Sequence, residues 1–187
     1  MENRAEEFLE SIKYHPYNRG SQDSITTEFH RLIPGMSLYR INQEAESKHS
    51  PSEYLKCLTP EFQRENTKWS REMQARFVNN VLAGFRTTIL MYSVGTEGGP
   101  LDNVYILDGL QRLTAISAFC ADEYPIQDEF YFSNLNTRRI MKKAHINVEF
   151  HHFNNHKEAC HHYIAMNEGI THSPEDLKVA YAFLEQG

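Results

Sequence analysis

Asp108, Gly109, Gln111 and Arg112 are the residues whose types and spacing best suit chemistry, within V-Y-I-L-D-G-L-Q-R-L-T-A-I-S-A-F-C over residues 104–120. The β-rich run Val104-Tyr105-Ile106-Leu107 meets Asp108-Gly109, and Leu113, Ile116 and Phe119 then recur at helical spacing. A strand feeding straight into a helix leaves the first-turn amides without carbonyl partners, and such amides are a ready anion site. A carboxylate, a primary amide and a guanidinium around them are the parts of a nucleotide-phosphate site. The same types also serve as helix caps and surface charges, so spacing alone leaves both roles open.

The elements that must position these residues can be read on either side of them. A helix is predicted over 5–13, closing before Pro16. A loop is predicted over 17–22, a short strand over 36–41 and a polar turn over 47–52. Ser70 is a good N-cap for a helix from Arg71 to Ala83, ended by Gly84, and Thr87 to Val94 reads as a buried strand. Residues 95–103, with Gly98-Gly99-Pro100, form the hairpin loop into the motif strand. Ser133 starts a helix with Leu135 and Ile140, Ile146 to Phe150 alternates as a strand, and Asn154 opens a helix carrying Cys160, Tyr163 and Ile164. Gly169 suits its end. Ser173-Pro174-Glu175-Asp176 combines an N-cap, a first-turn proline and two acids, a strong helix start. The expected architecture is an α+β domain, a small mixed sheet flanked by helices.

Composition narrows the function classes. A chain of 187 residues is most simply one domain around one core. No apolar run is long enough to cross a membrane, and the N-terminus lacks the basic-then-apolar order of a signal peptide, so a cytoplasmic home is expected. Cys57, Cys120 and Cys160 are odd in number and far apart, which suggests reduced, packed thiols rather than a disulfide framework. A net charge of −6 argues against tight non-specific nucleic-acid binding, which needs clustered Lys and Arg. Arg138-Arg139 and Lys142-Lys143 form the one basic patch, and a solvated helix face explains it equally well.

L-D-G-L-Q-R-L-T-A-I resembles the D-G-Q-Q-R-L-T motif of the domain-of-unknown-function 262 family. That family includes the N-terminal half of GmrSD-type modification-dependent restriction enzymes and belongs to the ParB/sulfiredoxin-like superfamily. Leu110 stands where the motif has its first Gln. Upstream, Pro60-Glu61-Phe62-Gln63-Arg64 and then Trp69-Ser70 are similar to the family's P-x-Y/F-Q-R-x-x-x-W-S element. Downstream, Ala165-Met166-Asn167-Glu168-Gly169 and Ser173-Pro174-Glu175-Asp176-Leu177 resemble its I-N-x-G-x-x-L-S-x-x-E-L segment. Three motifs in the right order cover roughly residues 55–182. Residues 1–54 then form an N-terminal arm or insertion packed on a ParB-like domain of residues 55–187.

The resemblance implies a domain that binds a nucleoside triphosphate, with hydrolysis left open. Arg112 would pair bidentately with phosphate oxygens, and the amides from Gly109 to Gln111 would cradle them. Asp108 would hold Mg²⁺ or orient water, and Gln111 would position the water or the ribose. Gln63 and Arg64 would approach the same phosphates, with Trp69 as an aromatic wall. Weak turnover at best is expected, since no third acid or arginine finger lies nearby in the motif. Family members use such a domain as a sensor or motor beside a nuclease, which implies a restriction or phage-defence setting with DNA or a restriction protein as partner. A rival reading is a binding, inhibitor or sensor module without turnover, taking a nucleotide, a modified DNA base or a protein partner. A third is an interacting protein with a vestigial pocket, which Leu110 favours.

Other chemistries are disfavoured by spacing. Among ten histidines, His156 and His162 do not share a helix face, and His151 and His152 point to opposite sides of a strand. Neither arrangement makes a zinc site. His151-His152-Phe153-Asn154-Asn155 lacks the second histidine of an H-N-H nuclease. In GmrSD-type enzymes the nuclease is a separate C-terminal domain, for which this chain is too short. The sulfiredoxin nucleophile is replaced by Gln111, an amide that cannot attack sulfur.

Overall fold

Strand residues that are apolar on both faces force a sheet to be covered on both sides, and β2 is such a strand. In the computed structural model, which describes residues 23–28, 51–63, 68–95, 104–135, 144–168 and 172–186, β2 spans Thr87–Val94. Ile89 and Met91 enter one apolar cluster, while Tyr92 enters another. The first cluster is completed by Leu55 and Leu58 of helix α1 (Pro51–Leu58), Val78 and Val81 of α2 (Arg71–Leu82), and Leu113, Ile116 and Phe119 of α3 (Leu110–Cys120). The second is completed by Cys160 and Tyr163 of α4 (His156–Asn167) and Leu177 and Ala180 of α5 (Pro174–Glu185). Phe62, 1% exposed, joins this second layer.

Among the described residues the sheet has four strands in the order β1-β4-β2-β3, with β1 at Asp23–Glu28, β3 at Val104–Asp108 and β4 at His145–Phe153. β2 pairs parallel with β4, while β1·β4 and β2·β3 are antiparallel, so the sheet is mixed. An α+β domain with helices on both faces of a small mixed sheet is what the sequence led one to expect.

Local chemistry fixes the helix starts. The Ser70 hydroxyl accepts from the Met73 amide at 3.3 Å, and Ser173 and Asp176 form a reciprocal capping box with Pro174 at the first turn. Several expectations need correction. The polar stretch 47–52 is not all turn, because Pro51 and Ser52 open α1. The cap of α4 is Asn155, whose side chain accepts from the Glu158 amide, rather than Asn154. The segment at Ser133 is a single 3-10 turn, Phe132–Asn134, ending at Leu135. β1 was not foreseen at all. The helix expected over 5–13, the strand over 36–41 and the continuation past residue 135 to Ile140 lie outside the described residues. The boundary expected at residue 55 falls inside α1. Among the described residues no helix is long and apolar enough to cross a membrane.

Candidate functional site at the β3–α3 turn

The motif strand carries a register shift just before its acid. Leu90 of β2 pairs with Asp108, but Met91 pairs with Ile106, so Leu107 has no opposite number. Such a bulge locally interrupts the ladder and re-aims the residues beyond it. The side-chain amide of Gln63 donates to the carbonyls of Ile106 and Leu107, at 2.7 and 2.9 Å. The loop after α1 is thereby fastened to β3 immediately ahead of Asp108.

Gly109 makes the turn that follows. Its φ of +99° is a left-handed conformation, and a Cβ there would sit 2.6 Å from Cδ1 of buried Ile89. It occupies the N-cap of α3 without any side-chain cap bond. The first helical bond runs from the Leu113 amide to the Gly109 carbonyl at 2.9 Å. The amides of Leu110, Gln111 and Arg112 consequently have no carbonyl partner within the helix.

Arg112 folds back over this turn. Its Nη1 donates to the carbonyl of Thr88 at 2.5 Å and lies 3.3 Å from Oδ2 of Asp108. The reason is geometric: β3 leaves the sheet after Asp108, opposite Leu90, so nothing from β3 reaches Thr88 and the guanidinium takes that place. Both side chains stay open to solvent, at 33% and 29% exposure. A guanidinium, a carboxylate and three helix-terminal amides thus converge at one end of the sheet. Gln111 is half-buried in the first turn, and Leu110 packs against the first apolar cluster.

The other candidate residues are Gln63, Arg64 and Trp69. Trp69 packs on the core at the start of α2, its ring 5.2 Å from that of Phe77. Gln63 is occupied by the carbonyls of β3. Arg64 lies outside the described residues. The Thr88 carbonyl, by contrast, had no signal in the sequence, because a main-chain acceptor is independent of side-chain type.

On the opposite face, the Tyr92 hydroxyl pairs with Nδ1 of His156 at 3.0 Å. Burial pushes the tyrosine pKa up and the histidine pKa down. Burial also pushes the Cys160 thiol up to about 12, which leaves it an inert packing residue. His152 bridges the Ser93 hydroxyl and the Gly95 carbonyl, and the rings of His151 and His162 lie 5.3 Å apart. Among the described residues no three of His, Cys, Asp and Glu converge as a metal ligand set.

The family model of the GmrSD restriction endonuclease N-terminal domain matches residues 38–186. The chain belongs to this family. The GmrSD N-terminal match takes in the whole Asp108–Arg112 turn, the Gln63 loop and every described helix, while β1 lies ahead of it. No curated protein and no solved structure matches the chain.

Proposed function

We propose that this chain is a ParB-like nucleotide-binding domain acting in a restriction or phage-defence setting, where it binds a nucleoside triphosphate and hydrolyses it slowly at most. The observation that carries the reading is the return of Arg112 across the Asp108–Gly109 turn, which sets a guanidinium beside amides lacking helical acceptors. Gly109 lets a phosphate approach the backbone closely, and Gln111, in the first turn, is placed to orient water or ribose. Asp108 suits Mg²⁺ that arrives on a triphosphate. One or two carboxylates are the usual protein share of such a metal, the rest being phosphate oxygens and water.

A binding, inhibitor or sensor module without turnover is the second reading, with a nucleotide, modified base or protein partner in the same pocket. One observation favours it: Asp108 is already engaged by Arg112.

Melting the protein with each of the four nucleoside triphosphates plus Mg²⁺ tests the shared premise. A ligand that binds only the folded state raises the melting temperature with the logarithm of its concentration. Absence of any rise up to millimolar ligand would sink the nucleotide reading. Phosphate release then separates the two alternatives. In an enzyme, Asp108→Ala and Gln111→Ala each lower release by roughly ten-fold or more while affinity falls much less. In a binding module, wild-type release stays at background. Wild-type release that neither substitution changes would place the activity elsewhere.

A further inference from the structure

Phe85 is the most exposed large apolar side chain among the described residues, at 69%. Its backbone is tied to the end of α2. α2 ends with the Gly84 amide on the Val81 carbonyl at 2.9 Å and the Phe85 amide on the Asn80 carbonyl at 3.1 Å, with Gly84 at φ +99°. In this form of helix end the residue after the glycine ordinarily turns its apolar side chain back onto the last helical turn. Phe85 presents its ring to solvent instead.

Its place in the fold gives that exposure a use. The turn leads into β2 at Thr87, and the next residue, Thr88, supplies the carbonyl that anchors Arg112. Three residues of chain reach at most ~10–11 Å, which bounds how far the Phe85 backbone lies from that of Thr88. Exposed Arg86 lies between them.

We propose that Phe85 is the platform on which the nucleotide's base stacks while its phosphates occupy the Asp108–Arg112 turn; this rests on the nucleotide reading above. An aromatic face accepts every base, because each base has a π-face of its own. The pocket is accordingly tolerant of base identity, with affinity supplied by stacking at one end and phosphate contacts at the other.

Calorimetric titration of wild type, Phe85→Ala and Phe85→Tyr with ATP, CTP and inorganic tripolyphosphate, all with Mg²⁺, tests this. Wild type should bind both nucleotides with similar Kd and tripolyphosphate roughly 5- to 160-fold more weakly, the range for one stacked base. Phe85→Ala should lose that advantage on both nucleotides and keep its tripolyphosphate affinity, while Phe85→Tyr retains the advantage. Phe85→Ala binding nucleotides as wild type does, or wild type binding tripolyphosphate as well as nucleotides, overturns the platform and leaves the phosphate site standing. Wild type binding none of the three ligands overturns both readings. Because Phe85 is exposed, an unchanged melting temperature certifies the fold of the alanine variant.

Discussion

Arg112 holds two partners through one nitrogen, and this decides what its loss does. Arg112→Ala removes a charged hydrogen bond to the Thr88 carbonyl and the ion pair with Asp108, both open enough for water to replace them, so about 1 kcal/mol of stability is at stake. For a chain of this size that is a fall of roughly 2–4 °C in melting temperature. The rise caused by a triphosphate should vanish completely in the same variant, and Arg112→Lys should restore little of it, since a point charge lacks the bidentate fork. A variant that fails to fold would make Arg112 structural. Gly109→Ala carries the opposite signature: left-handed backbone plus a 2.6 Å clash with Ile89 should cost about 1–3 kcal/mol, read as a melting temperature lower by several degrees before any ligand is added. The place of Asp108, Gly109 and Arg112 at a strand-to-helix turn could be read from the sequence, because a β-rich run meets helical spacing there. The anchoring carbonyl of Thr88 could not, and neither could the exposure of Phe85, which depends on how the end of α2 meets the sheet.

Among the elements, helices with strong caps and strands with dense apolar runs, β2, β3 and β4, were legible, while β1 was not. α2 and α5 follow from Ser70 and from Ser173-Pro174, whose caps act within one turn. β1, D-S-I-T-T-E, has a single apolar residue, and its strand state comes from the ladder with β4. Gln63 shows the same dependence on tertiary context, since its amide substitutes for ladder partners at the bulge in β3. Gln63→Leu should leave two carbonyls short of donors and cost about 1–3 kcal/mol. Hydrogen exchange should report the loss as faster exchange at Leu107–Gly109 than at α5, which is remote from the bulge. Equal acceleration everywhere would mean that Gln63 supports global stability and not the local geometry of the turn.

At the scale of the whole molecule, acid should weaken the fold through the layer facing away from the turn. Burial holds His156 below its ordinary 6.5, against a smaller opposing pull from Glu61. The unfolded chain therefore takes the proton first as pH falls. The stabilisation is whole above about 6.5 and is lost as pH drops below that value. Melting temperatures measured from pH 7.5 to 5.5 should fall more steeply for wild type than for His156→Gln. Parallel slopes would show that His156 ionises in the folded protein as easily as in the unfolded one.

The place of β1 in the sheet has a consequence in time. Thr26 and its partner Asn147 are 121 residues apart, and among the described residues β1 has no other neighbour in the sheet. At a synthesis rate of 5–20 residues per second, β1 waits about 6–24 s on the ribosome before β4 exists to receive it. Contacts this distant also slow the folding search, because a long loop must close before the pairing returns any free energy. The sheet is therefore completed late, and until β1 docks the outer edge of β4 is an open strand for any other extended chain nearby.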